Sequence, residues 1–264
     1  MYPYKLFLGL DLYTILITVG VVVCLLLLRL QGDWRNLRAK YQNFLLTLAP
    51  VAVILGYMAA VLIQGLYNIA ALGEYRIDAS TGSTFFGGLL GGVVTFLSLY
   101  FGVGHFYFRD GYHKTHFRDL LDLAPACITV AHGFGRLGCL MAGCCHGARS
   151  DAWYAIPMNI PGDGTSDMVK VVPVQLFEAL FLLALAAFLL FSFWKKWRYQ
   201  MPIYMIAYSL WRFVAEYLRD DYRGQTVIKA LTPSELVSVV LLVGGIALLA
   251  VELWLDHRKG GREA

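Results

Sequence analysis

Apolar residues gather into seven long stretches, approximately 12–28, 45–65, 86–104, 120–141, 175–194, 202–218 and 235–255, separated by shorter polar intervals. A helix rising 1.5 Å per residue crosses about 30 Å of hydrocarbon in roughly 20 residues, so each stretch predicts a membrane-spanning helix. The pattern predicts an all-α, polytopic membrane protein of about seven transmembrane helices, one domain over 1–264 with its termini on opposite sides. The first stretch is expected to remain as a helix. Asp11 and Tyr13 stand where a signal peptide has its basic region, and no small-residue cleavage site follows.

Composition agrees with the pattern. Of 264 residues 58% are hydrophobic and only 15% charged, against about a quarter in soluble domains, and the mean hydropathy is +0.60. The net charge of +4 is spread among apolar runs and forms no basic stripe, which sets nucleic acid aside as a partner. Lys and Arg are unequal between alternate loops. Arg29, Arg35, Arg38, Lys40, Arg109, Lys114, Arg118, Lys195, Lys196, Arg198, Arg258, Lys259 and Arg262 make thirteen on one side, against seven on the other: Lys5, Arg76, Arg149, Lys170, Arg219, Arg223 and Lys229. Cation-rich loops stay in the cytoplasm, so the N-terminus is expected outside and the C-terminus inside. The loop 142–172 is then extracytoplasmic, and Pro157, Pro161, Gly162, Asp163 and Gly164 predict irregular chain there.

Arg136 and Arg212 fall within predicted spans, where an arginine costs at least about 2.5–3.5 kcal/mol and must face a protein interior or a wet cavity. Both lie towards the outer level, and Glu216 follows Arg212 by one turn. A structural ion pair and a carbonyl cap would account for them blandly; a charged site is the functional reading. At the start of the fifth stretch, after Pro173, Gln175 and Glu178 share a helix face and bring a second polar pair to the same level. The third stretch opens Phe85-Phe86-Gly87-Gly88, whose glycines either let helices approach or leave room for lipid.

The densest chemistry lies in 132–147, His132 to Gly147, which holds one Arg, two His and three of the five Cys. Gly133, Gly135 and Gly138 spell a dinucleotide fingerprint, but within an apolar helix rather than a strand–turn–helix unit. Cys139 and Cys144 have the first spacing of an iron–sulfur site, yet position 147 is Gly; the haem pattern needs Cys at 142, which is Ala; paired zinc-ribbon motifs are absent. A glycine-broken helix end remains, and such breaks at membrane depth line cavities. The vicinal Cys144-Cys145 pair is open to a disulfide, to metal binding, to a thiolate favoured by Arg136, or to plain packing. No metal site and no cofactor are assigned. Val21-Val22-Val23-Cys24 lacks the small residue of a lipobox, so Cys24 reads as packing.

The order of motifs resembles the prolipoprotein diacylglyceryl transferases: the glycine-rich opening of the third stretch, Gly135-Arg136-Leu137-Gly138, Pro173-x-Gln175-Leu176-Phe177-Glu178, and Arg212 through Arg219. Two features depart from the family pattern. Phe86 stands where it has His, and Cys139 where it has Asn, marking a cysteine-rich branch. The resemblance implies a seven-span enzyme of the bacterial cytoplasmic membrane, its site facing outwards, moving diacylglycerol from phosphatidylglycerol or a similar anionic phospholipid to the lipobox cysteine in the signal peptide of a preprolipoprotein. It implies that Arg136 and Arg212 hold the lipid phosphate, with Glu216 orienting Arg212; the residues of the cluster add Cys144, Cys145 and His146 as catalytic candidates, and Gly87, Gly88, Gly135, Gly138, Cys139, Gln175, Glu178 and Glu216 are the substrate-binding candidates. With Phe86 unable to take a proton, thiol deprotonation falls to His132, to His146, or to neither. Two alternatives stay open: a phospholipid-dependent transferase using its own Cys144 or Cys145 thiolate on another acceptor, and a non-enzymatic lipid-binding or transport protein.

Overall fold

The computed structural model describes residues 5–7, 9–73, 81, 84–159, 168–219 and 231–263. A short antiparallel pair, β1 (Lys5–Phe7) with β2 (Leu10–Asp11), leads into α1 (Leu12–Trp34), α2 (Ala39–Leu72), α3 (Phe85–Tyr107), the single turn α4 (Tyr112–Thr115) and α5 (Phe117–Ala142). After a hairpin of β3 (Ile156–Met158) and β4 (Val169–Val171) follow α6 (Val174–Trp194), α7 (Gln200–Glu216) and α8 (Pro233–Glu263). Every predicted apolar stretch is helical. Six of these helices are long and apolar enough to cross a membrane; α7, at 17 residues and carrying Arg212 and Glu216, is about 25 Å long and falls short of the hydrocarbon thickness. The chain is a multi-pass membrane protein, and its described residues group into two compact units, 32–120 and 1–31 with 121–264.

In the unit of 32–120, small residues bring α2 and α3 together. A Cβ on Gly56 would lie 2.9 Å from the Gly92 Cα, and one on Gly91 would run into the Ala59 side chain. This is the close backbone approach by which helices associate where lipid is as apolar as Leu. At one end the fully buried Tyr41 and Tyr100 share a hydroxyl hydrogen bond of 2.8 Å, and Tyr100 donates on to the His113 carbonyl.

The other unit has two chemically distinct ends. At one, Asp122 near the start of α5 pairs with Arg198 at 3.6 Å and accepts from the Gln200 amide, while Tyr199 donates to Asp256 of α8. Lys195, Lys196, Arg198 and Arg258 all belong to this end, as the loop-charge pattern predicts for one cation-rich side. At the opposite end, the C-terminus of α5, the hairpin, the start of α6 and the end of α7 converge, with the Ala148 amide bonding to the Leu218 carbonyl. The irregular chain predicted for 142–172 is corrected over its described part. Ile156, Met158, Val169 and Val171 alternate with the exposed Pro157 and Lys170, pair in register across β3 and β4, and bury Met158 and Val171 against Leu140. Turn-forming residues are dense enough in this segment to conceal that alternation. Pro161, Gly162, Asp163 and Gly164 lie outside the described residues.

Candidate functional site

The expected glycine break within 132–147 falls at one place only. Helix α5 runs unbroken through Gly133, Gly135 and Gly138 and stops at Gly143, whose φ of 73° is left-handed. The Gly143 amide bonds to the Leu140 carbonyl and the Cys144 amide to the Cys139 carbonyl, the paired bonds of a Schellman C-terminus. That motif sets the side chain of the residue after the left-handed turn against the one five positions earlier, which here juxtaposes Cys144 and Cys139. Cys145 then takes a left-handed φ of 60°, rare outside glycine, and folds its thiol back on the pair. The three sulfurs lie within 4.8 Å of one another. The loop is anchored from α6, where Gln175 Nε2 donates to the Cys144 carbonyl at 2.9 Å, and from the end of β4, where the Val172 carbonyl accepts from the Gly147 amide at 2.8 Å. A Cβ on Gly147 would run into the Leu218 carbonyl oxygen, so only glycine fits.

Cys139 and Cys144 are partly covered and Cys145 is exposed. The Cys145 thiol is drawn well below its ordinary pKa by hydrogen bonds from the Cys139 and then the Cys144 thiols, against the cost of burial, with the charges of Arg136 and Arg219 adding to the effect. His146 Nδ1 lies 2.8 Å from the Gly147 carbonyl. A carbonyl only accepts, so Nδ1 carries a proton, and in the neutral ring the acceptor nitrogen is Nε2.

One turn deeper on α5, Arg136 Nε meets Glu178 Oε2 at 3.0 Å; the arginine side chain is 17% exposed and the glutamate fully buried. An ion pair therefore stands where a carbonyl cap was the bland expectation for Arg136. Tyr208 donates to the other Glu178 oxygen at 3.0 Å, His132 Nε2 lies 3.8 Å from that same oxygen, and the His132 ring packs edge-on against Tyr208. Arg212, 8% exposed, pairs with Glu216 at 3.1 Å and donates to Ser234 Oγ at 2.7 Å. Two polar groups thus stand on these helices, Arg136, Glu178, Tyr208 and His132 on α5, α6 and α7, and Arg212, Glu216 and Ser234 on α7 and the start of α8.

The structure thus brings Arg136, Arg212, Glu178, Glu216, Gln175, Cys139, Cys144, Cys145 and His146 to the same end of one unit. Gly135 faces open space, and Gly138 lets Tyr13 pack 3.2 Å from where its Cβ would be. Gly87 and Gly88 belong to the other unit, where they lie at the α2–α3 contact. A Cβ on Gly87 would stand 3.0 Å from Ile63 and 3.1 Å from Ala60, which accounts for it by packing rather than by space left for lipid. Tyr208 and Ser234 were not expected. Tyr208 sits one turn before Arg212 on the same face of α7, a periodicity the sequence displays; Ser234 gives no such signal.

The family described as prolipoprotein diacylglyceryl transferase matches residues 4–251. A Clostridium perfringens protein named phosphatidylglycerol--prolipoprotein diacylglyceryl transferase 2 is 36% identical over 157 residues, covering 57% of this chain and 59% of its own length. Longer matches reach proteins named phosphatidylglycerol--prolipoprotein diacylglyceryl transferase in Clostridium tetani, 28% identical over 91% of this chain and 92% of the relative, and in Finegoldia magna, 30% identical over 91% of each.

Proposed function

The chain belongs to the prolipoprotein diacylglyceryl transferase family, and from that premise we propose that it moves a diacylglyceryl group from phosphatidylglycerol to the lipobox cysteine thiol of a preprolipoprotein. The observation that carries the reading is that two carboxylate-held arginines, Arg212 buried and Arg136 largely so, lie at the same end of one unit as a thiol cluster with one exposed member, Cys145. Arg136 and Arg212 hold the lipid phosphate by charge-assisted hydrogen bonds that strengthen as the glycerol phosphate leaves and its charge grows. Glu178, Glu216, Tyr208 and Ser234 fix the two guanidiniums in place before substrate arrives, which lowers the reorganisation cost of the step. Open space beside Gly135 admits the glyceryl chain, and His146 Nε2 takes the acceptor thiol's proton. The enzyme sits in the bacterial cytoplasmic membrane with this end outwards, the orientation that the loop charges favour.

The exposure of Cys145 favours one second reading, in which its own sulfur accepts the lipid. Incubation of the purified protein with labelled phosphatidylglycerol and a lipobox peptide, followed by intact mass, separates the two. A diacylglyceryl mass on the peptide is the expected result, a mass on the protein selects the second reading, and no transfer to either removes both.

A further inference from the structure

We propose that Cys139, Cys144 and Cys145 form a three-thiolate site for a thiophilic divalent ion, zinc by class, whose open fourth position binds the acceptor thiol and activates it. The metal site stands on the geometry of the cluster; the thiol-activation half rests on the transferase reading above.

Three sulfurs within 4.8 Å of one another are close to what one ion requires. Tetrahedral thiolates at about 2.3 Å from zinc stand about 3.8 Å apart, so closure needs shifts of about an ångström or less per sulfur. A disulfide would use two of the three and leave the third unexplained. The backbone is also built for the cluster. The Schellman turn at Gly143 sets Cys144 beside Cys139, the left-handed Cys145 returns its sulfur to the pair, and Gln175 pins the Cys144 carbonyl from α6. Left-handed backbone at a non-glycine residue is strained and persists where the surroundings impose it. Three protein ligands with one exposed edge, at Cys145, match catalytic rather than structural zinc, which is closed by four. Arg136 and Arg219 bear on Cys145 and offset the surplus negative charge of three thiolates on a divalent ion.

The step balances without a redox partner. The acceptor thiol binds zinc as thiolate and gives its proton to the His146 imidazole. Its sulfur attacks the glyceryl carbon that carries the phosphate ester; the S–C bond forms as that C–O bond breaks, and the electron pair leaves on the glycerol phosphate oxygen beside the arginines. The product is a neutral thioether, a weak ligand that dissociates.

The test uses the full chain in detergent, reduced and stripped of metal, titrated with Co(II) as an optical probe and Zn(II) as competitor. We expect intense thiolate-to-cobalt bands saturating at one equivalent, displaced by Zn(II), and lost in Cys139→Ser, Cys144→Ser and Cys145→Ser variants that remain monodisperse. A lipobox peptide should shift the bands, and the same peptide with Ser in place of Cys should not. Failure of the reduced wild-type chain to bind one equivalent overturns the site, and a spectrum indifferent to the thiol peptide overturns activation. Transfer from phosphatidylglycerol is followed in parallel. Transfer that persists in metal-free protein and in all three variants removes the metal and keeps the transferase reading. A thiol-sensitive cobalt site in protein that never transfers lipid keeps the site and removes that reading.

Discussion

Lysine at Arg136 or Arg212 is the sharpest probe of the phosphate clamp, because it keeps the charge and removes the planar fork. The charge matters for the fold. Glu178 is fully buried against Arg136, and stripping one partner from a buried pair costs about 3–5 kcal/mol, so an alanine variant would confound folding with catalysis. Lysine retains a cation opposite Glu178 or Glu216, and a monodisperse protein with near-wild-type thermal stability is expected. What it loses is a second directed donor to the phosphate, a charge-assisted hydrogen bond worth about 1.5–3 kcal/mol. At about 1.36 kcal/mol per decade that is a fall in kcat/KM of roughly 10- to 150-fold for each variant. The loss should fall mainly on kcat, since the leaving oxygen gains its charge in the transition state. Turnover of fluorescent phosphatidylglycerol with a lipobox peptide, read by mass, measures it. Near-normal kcat/KM in both lysine variants would refute the clamp and leave the arginines with a structural task.

Gly147→Ala should abolish accumulation of folded protein, since its Cβ meets the Leu218 carbonyl, whereas Gly102→Ala, with nothing within 4 Å, should be neutral; fluorescence-detected size exclusion compares them. Tyr208→Phe leaves one Glu178 oxygen without its hydrogen bond and should destabilise the protein by about 1–3 kcal/mol in thermal or denaturant unfolding; an unchanged midpoint would show that the carboxylate finds another donor. For orientation, an impermeant maleimide on intact cells should label Cys placed at Trp153, which is 95% exposed, and not Cys placed at the exposed Lys114, with native cysteines replaced by serine. Labelling of position 114 alone would turn the site towards the cytoplasm.

Much of this is legible in the chain because the bilayer makes hydropathy the strongest constraint on where each segment can lie. The seven stretches are helices, and the arginines expected to face protein find carboxylates there. Arg136 and Glu178 are distant in sequence, and what joins them is the packing of α5 on α6, so the spacing of either helix alone could suggest a carbonyl cap or a dipole partner but not their pairing. The hairpin is hidden for a different reason. Its two strands are three residues each, too short for alternation to outweigh the Pro and Gly between and within them. Gly133, Gly135 and Gly138 look like a helix break, yet a helix tolerates glycines at about 1 kcal/mol apiece when neighbours pack into the space they leave. Leu183 against Gly133 and Tyr13 against Gly138 show that packing here, while Gly135 faces open space.

The spacing Cys139-x4-Cys144, rejected as an iron–sulfur motif, has a structural meaning of its own. The two positions that a Schellman end brings together are five apart, and glycine occupies the left-handed position between them. Arg136 precedes Cys139 by three residues and so lies one turn deeper on a neighbouring face of α5. On α6, running the opposite way, Gln175 and Glu178 are also three apart; the first holds the Cys144 carbonyl and the second holds Arg136. Arg136 and Cys144 are eight residues apart in the chain, but the turn at Gly143 folds Cys144 back beside Cys139, so one register of α5 against α6 satisfies both contacts. A slip of a single residue in either helix would at once free the thiol loop and leave a buried carboxylate unpaired. The proposed phosphate clamp and the proposed thiol site are therefore tied to the same helix pair, with Arg136 one helical turn before Cys139 on α5.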